Sequence, residues 1–205
     1  WKIELVMKKI LVICAHPDDE FLGCGATLLH YVKKGYKIKV VFLSDGETSR
    51  NINQNEVKGL INRRKKQAEL ISKKANFQKP IFFDYPDNRL DKVPILTIIK
   101  KLEKEIRNFK PEIIFTHQEN DLNIDHSIAF KASLTASRPM TKTFVKKILC
   151  FETPSSSEIS FQIHKKKLFN PNLFVDISFF LKKKINLLKI YKSEIKKYPH
   201  ARSLK

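Results

Sequence analysis

Two short segments of the chain concentrate residue types that bind divalent metal ions. The first is the run HPDDE at positions 16–20, and the second is the run NDLNIDH at positions 120–126. A catalytic zinc site uses three nitrogen or oxygen ligands and leaves one position open for water. His16 and Asp19, three residues apart on a tight turn, could both face one ion, and His126 could complete the set.

Asp18 lies between two of these candidate ligands and need not bind the ion itself. A carboxylate beside a metal can act as a general base, so the pattern predicts metal-assisted hydrolysis with Asp18 as the base. Helix capping is the alternative for Asp18 and Asp19, but it would account for one aspartate rather than two beside a histidine. His117, at the end of a predicted strand, competes with His126 for the role of third ligand.

Both segments follow predicted strands. The continuous apolar run at 8–15 predicts a central strand that is buried on both faces. Strands and helices then alternate, which predicts an α/β fold: a Rossmann-like, three-layer α/β/α arrangement with a mostly parallel sheet. Since ligands bind beyond the carboxyl ends of such strands, the two segments should converge. The other predicted strands span 36–43, 80–83 and 112–116, and the predicted helices span 21–34, 56–75, 93–108 and 125–137.

Beyond Lys146 the pattern changes to a small C-terminal appended region. Its predicted elements are strands at 147–151, 159–163 and 173–177 and a helix at 178–197. We therefore expect a single domain over residues 7–205. Because Met7 opens a run typical of a natural start, residues 1–6 are expected to be an extension without function.

The chain is strongly basic. It has 205 residues, with 40 Lys and Arg against 21 Asp and Glu and a formal net charge of +19. The lysines are spread over nearly every amphipathic segment, without the interleaved aromatic residues of a surface that stacks bases, so nucleic acid is not the expected partner. The densest clusters, which could meet a phosphate-bearing substrate or an anionic membrane surface, lie at 165–167, 182–184 and 196–197.

The sequence lacks a membrane-spanning segment, a secretory signal and paired cysteines. No apolar run approaches the length needed to cross a bilayer, and the N-terminal residues show no secretory signal pattern, so a cytoplasmic location is expected. The three cysteines form no CxxC pair, so any metal must be bound by histidines and carboxylates.

The run AHPDDE at 15–20, followed by a later histidine, resembles the hallmark of the PIG-L/LmbE family of zinc-dependent de-N-acetylases. The resemblance extends over most of the chain from Met7. It implies that Asp18 is the base and that an N-acetylated amino sugar or sugar conjugate is hydrolysed to acetate and a free amine. Homo-oligomers are also compatible with it. The implied zinc ligands are His16, Asp19 and His126.

The sequence departs from the family pattern at one position. Many members carry a histidine three residues before the last ligand, where this chain has Asn123. An amide can donate a hydrogen bond to an oxyanion but cannot deliver a proton. Asn123 is therefore expected to be an oxyanion donor, and the leaving amine must receive its proton from Asp18 or from another group.

Further residues are candidates for substrate binding. Arg64 matches a substrate-contacting arginine of some relatives, although a solvated helix arginine is an alternative. Asp87 and Asn88 follow the third strand and could contact sugar hydroxyls, although turn formation explains them almost as well. His200 and Arg202 belong to a PHARS run that resembles a tail motif of a subset of the family, and their role stays open.

Other functions fit parts of the same pattern. Two histidines and one carboxylate could hold Fe²⁺ for oxygen chemistry, although such a site has no use for Asp18. A basic nucleic-acid-binding domain is the non-enzymatic alternative. Dinucleotide binding is rejected, because the glycine pair at Gly23 and Gly25 has Leu28 where the fingerprint needs a third glycine.

Overall fold

The computed structural model describes residues 8–50, 53–139, 145–157, 159 and 169–204. Its centre is a sheet of five strands in the order β3-β2-β1-β4-β5, and every strand pair in the described part of the chain is parallel. The predicted α/β fold class is confirmed. The strands are β1 at Lys9–Cys14, β2 at Lys37–Ser44, β3 at Ile81–Tyr85, β4 at Ile113–Thr116 and β5 at Lys147–Cys150.

Helices cover both faces of the sheet, and each face has its own apolar core. β1 is central and buried on both faces, as its continuous apolar sequence predicts: Ile10 and Val12 pack on one side, Leu11 and Ile13 on the other. The helices are α1 at Asp19–Gly23, α2 at Gly25–Lys33, α3 at Gln54–Ala75, α4 at Ile95–Phe109, α5 at Ile124–Ala136 and α6 at Leu181–Leu188.

The single helix predicted at 21–34 is divided into α1 and α2 at Cys24. α1 starts earlier than predicted, at Asp19, within the HPDDE run at 16–20. A side chain at Gly23 would collide with Phe151 and would also lie 2.9 Å from the Glu152 carbonyl oxygen. Glycine at this position therefore lets α1 lie close against the chain that follows β5.

The C-terminal predictions were partly wrong. Residues 173–177 are described and form no strand, because their backbone does not pair with any of the five strands of the sheet. The helix predicted at 178–197 is reduced to α6, with short 3₁₀ helices at Ser178–Phe180 and Lys192–Glu194. The strand predicted at 159–163 and the lysines at 165–167 lie, apart from Ile159, outside the described residues.

No helix in the described ranges combines the length and the apolar character that a membrane span requires.

Candidate active site

The candidate site lies at the carboxyl edge of the sheet, where parallel topology predicts it. His16 follows β1 and Asp19 opens α1, while His117 follows β4 and His126 lies in the first turn of α5. β1 and β4 are direct neighbours in the sheet. The two segments singled out as candidate metal ligands therefore meet, although about 110 residues separate them in sequence.

His16, Asp19 and His126 form a compact cluster in which Asp19 and His126 are buried and His16 is partly exposed. One ligand atom from each lies within 4.8 Å of those of the other two. His126 Nε2 is 3.3 Å from His16 Nδ1 and 3.5 Å from Asp19 Oδ2, and His16 Nδ1 is 3.3 Å from the same carboxylate oxygen. Two imidazole nitrogens and a carboxylate oxygen converging in this way match the donor set of a catalytic zinc site.

Acidic side chains contact the opposite nitrogens of both rings. His126 Nδ1 lies 3.1 Å from Asp121 Oδ1. His16 Nε2 lies 3.0 Å from Asp87 Oδ1 and 3.3 Å from Asp125 Oδ2. Such outer contacts orient the imidazoles of metal sites and fix their tautomers. Our sequence analysis did not assign this role to Asp121 or Asp125, because ring orientation depends on contacts that spacing does not reveal.

His117 is close to the cluster but is engaged differently. The Ala15 N–H donates to His117 Nε2 at 3.0 Å, although Asp19 Oδ2 is also 3.2 Å from that nitrogen. The His117 ring stacks on that of His126 with centroids 3.8 Å apart. Burial, and then the neighbouring His126, lowers the pKa of His117 to about 4. The geometry favours His126 as the third donor, because a backbone N–H already occupies the Nε2 lone pair of His117.

Asp18 stands beside the cluster without belonging to it. Among the described residues its side chain makes no capping hydrogen bond to α1, so the capping alternative does not explain it. Burial, and then the charge of Asp19, raises the pKa of Asp18 to about 6, while Arg64 and Arg202 oppose this increase. A buried carboxylate with this pKa can exchange protons near neutral pH.

A polar cavity of about 150 Å³ opens next to Asp18. A larger cavity, of about 470 Å³, lies elsewhere, between α2 and the chain after β5. We assign the site to the smaller one because the titratable groups converge there. It brings together the residues that the sequence singled out for catalysis and substrate binding: His16, Asp18, Arg64, Asp87, Asn88 and Asn123.

Asn123 is hydrogen-bonded to Asn88, the second residue of the 87–88 pair. The Asn123 Oδ1 accepts from the Asp125 N–H at 2.9 Å and so caps α5, and its Nδ2 donates to Asn88 Oδ1 at 3.0 Å. Asn88 has a positive φ of 52°, which is consistent with the turn that the sequence allowed. Asp87 contacts His16, as described above, so it has a structural task at the site in addition to any contact with substrate.

Arg64 is buried in α3 rather than solvated. Its Nε donates to Glu47 Oε1 at 2.9 Å, its Nη2 pairs with Glu194, and its Nη1 donates to the Pro17 carbonyl at 3.4 Å. Burial alone would raise the pKa of Glu194, but Arg64 and then Arg50 lower it to about 2. Glu194 is therefore charged at neutral pH, and it forms a buried polar network with Arg64 and Glu47 behind Asp18.

Replacing Arg64 by Ala should lower the free energy of unfolding by up to about 3–5 kcal/mol, because the buried carboxylates of Glu47 and Glu194 would lose their most buried cationic partner and keep only the more exposed Arg50 and Arg202. Urea denaturation followed by circular dichroism would measure the change. Arg63→Ala is the matched control, since Arg63 is the exposed neighbour on the same helix and its loss should cost at most about 0.5 kcal/mol. Equal stabilities of the two variants would contradict this account.

The fold and the site together define an α/β protein with a two-histidine, one-carboxylate cluster at the carboxyl edge of a parallel sheet. Among protein families, the model named PIG-L and described as GlcNAc-PI de-N-acetylase matches residues 11–137. The chain belongs to the PIG-L family.

One curated relative agrees with this assignment, and a solved structure agrees with the fold. The uncharacterized deacetylase YaiS of Escherichia coli is 32% identical over 154 residues, which is 73% of this chain and 76% of YaiS. The N,N'-diacetylchitobiose deacetylase of Pyrococcus horikoshii has a similar structure, with a TM-score of 0.70, 21% identity and coverage of 92% of this chain and 71% of that one.

A protein with a different reaction also has this fold. The 4-carboxy-2-hydroxymuconate hydratase GalB of Pseudomonas putida matches with a TM-score of 0.66 and 21% identity, over 92% of this chain and 85% of that one. Since the fold is shared by a deacetylase and a hydratase, the reaction of this chain must be argued from its site.

Proposed function

We propose that this protein is a metal-dependent deacetylase that removes the acetyl group from an N-acetylated amino sugar or sugar conjugate. The observation that carries the proposal is the cluster of His16, Asp19 and His126, with Asp18 outside the cluster but on the polar cavity that His16 also lines. Membership of a family described as de-N-acetylases supports the same reaction.

His16, Asp19 and His126 would hold the ion. Zn²⁺ suits two imidazoles and one carboxylate, and Fe²⁺ is the alternative for the same donors. When bound, a divalent cation supplies Lewis-acid chemistry, which acidifies water and polarises a carbonyl oxygen. Asp121 and Asp125 would hold the two imidazoles in the orientation that turns His126 Nε2 and His16 Nδ1 towards each other.

Asp18 acts as the general base in this proposal. It takes a proton from the attacking water, whose oxygen forms the new bond to the acetyl carbon. The bond between that carbon and the amide nitrogen then breaks, and Asp18 returns the proton to the leaving nitrogen. The products are acetate and a free amine. The raised pKa of Asp18 suits both directions of this transfer.

Asn123 is the proposed oxyanion donor. Asn123 lines the cavity, where its Nδ2 group donates to Asn88 Oδ1. An acetyl oxygen that develops negative charge would compete for this donor. In the same scheme the sugar hydroxyls face Asn88 and Asp87, while Arg64 supports the wall of the cavity.

The proposed function is tested by measuring acetate release from N-acetylated sugars, sugar phosphates and sugar nucleotides. The protein is first treated with a chelator and then supplied with Zn²⁺ or Fe²⁺. We expect chelated protein to be inactive and activity to return with the metal. The +19 charge leads us to expect a phosphate-bearing substrate to be preferred.

Two outcomes would support a different function, and a third would contradict the role of the metal cluster. Metal-dependent oxygen consumption without acetate release would favour the iron enzyme. Salt-sensitive nucleic-acid binding that ignores the chelator, with no turnover, would favour the basic binding domain. Acetate release that survives complete metal removal would show that the three-residue cluster is not the catalytic centre.

A further inference from the structure

The C-terminal residues fold back towards the carboxyl edge of the sheet. After the 3₁₀ helix at Lys192–Glu194 the chain makes a tight return. In this return the Lys196 N–H donates to the Arg202 carbonyl at 3.3 Å, and the Ser203 N–H donates to that of His200 at 2.9 Å. The return places the Arg202 side chain at the polar cavity of the candidate active site.

The Arg202 guanidinium is held on three sides. Its Nη1 lies 3.3 Å from Asp18 Oδ2 and 3.2 Å from Glu194 Oε2. Its Nε donates to Ser155 Oγ at 2.8 Å and reaches the Pro154 carbonyl at 3.4 Å. The side chain is only 19% exposed. Because the guanidinium is planar and its donors have fixed directions, these contacts determine where Nη1 lies relative to Asp18.

Asp18 needs such a partner. It is buried beside Asp19, whose like charge repels it, and its second nearby cation, Arg64, is already paired with Glu47 and Glu194. Within the described part of the chain, Arg202 is the residue that forms an ion pair with Asp18. The pair joins the C-terminal return to the HPDDE run at 16–20.

We propose that Arg202 is a positioning residue that holds the Asp18 carboxylate in the orientation required of the general base. This inference rests on the proposed function, in which Asp18 is that base. Arg202 does not exchange protons itself, because a guanidinium stays charged at all relevant pH values. It acts by fixing one carboxylate oxygen, which leaves the other free to face the cavity.

The test compares Arg202→Ala with Arg202→Lys and with Lys197→Ala, a control that removes an exposed cation from the same tail. Each variant is loaded with Zn²⁺ and assayed on an N-acetylated sugar that the wild type hydrolyses. We expect Arg202→Ala to lose kcat by roughly 10–100-fold, since a misplaced catalytic group is costly, while KM and zinc content stay near the wild-type values. Arg202→Lys should fall between the two.

Chemical rescue separates positioning from general damage. Guanidinium at millimolar concentration should restore part of the kcat of Arg202→Ala and leave Lys197→Ala unchanged. An unchanged kcat in Arg202→Ala would overturn the proposal. So would a change confined to KM, which would make Arg202 a substrate-binding residue, or a loss of activity in proportion to lost zinc.

A crystal structure of zinc-loaded Arg202→Ala provides a readout that does not depend on turnover. We expect the Asp18 carboxylate to rotate or shift from its wild-type position, and an unchanged Asp18 would overturn the proposal. If the wild type released no acetate from any substrate, the proposed function would fail, and the position of Asp18 in the variant would still decide whether Arg202 holds it.

Discussion

Replacing Asp18 by Asn is expected to leave the metal bound and to reduce turnover by about 10²–10⁴-fold, the usual contribution of a general base. The amide has nearly the same shape as the carboxylate but cannot accept the proton of water. Asp18 is not among the three clustered donors, so zinc binding should not depend on it. Acetate release and zinc content, measured on the same preparation, would check both expectations.

Asp91→Asn is the matched control for this substitution. Asp91 is partly exposed and lies in the short 3₁₀ helix at Leu90–Lys92, so its neutralisation should leave turnover unchanged. An Asp18→Asn variant with the turnover of the wild type would show that another group is the base. Loss of zinc from that variant would instead show that Asp18 belongs to the metal site.

The second large effect is expected for His126→Ala, which should abolish both zinc binding and turnover. Outer contacts to a metal-bound histidine already change metal affinity by about 10–100-fold, so removal of a direct ligand should raise the zinc dissociation constant by more than about 100-fold. Competition with a chromophoric chelator would measure the constant, and elemental analysis would give the zinc content after dialysis.

His117→Ala makes this experiment specific. It removes the neighbouring stacked ring and leaves the Ala15 N–H without its acceptor, which should cost about 1–3 kcal/mol of stability. The variant should nevertheless bind zinc with an affinity near that of the wild type. If His117→Ala lost zinc while His126→Ala kept it, our assignment of the third ligand would be wrong.

Much of the central fold could be predicted from the chain alone. β1, β2 and β4 are short apolar runs, and their predicted bounds lie within two residues of the observed ones. Burial on both faces demands such runs, so the pattern is strong wherever helices cover both sides of a parallel sheet. The helices predicted at 93–108 and 125–137 also lie within two residues of the observed bounds of α4 and α5.

The C-terminal region was less predictable. Its alternating and amphipathic patterns favoured a strand at 173–177 and a long helix, but the helix ends at Leu188. Beyond it, Tyr191 donates its hydroxyl to Glu20 at 2.8 Å and Glu194 pairs with Arg64. These contacts form beyond the end of α6. Their partners are distant in sequence, so the local residue pattern cannot predict them.

The residue types and the spacing of the HPDDE run, together with an alternation of strands and helices, were enough to predict a hydrolytic metal site at one edge of a parallel sheet. The sequence favoured His126 over His117 as the third ligand, but it could not show that a backbone N–H occupies Nε2 of His117. Nor could it place Arg202 against Asp18, 184 residues away. Local patterns reflect the burial and turn geometry of neighbouring residues, whereas contacts across such separations exist only once the sheet has brought its loops together.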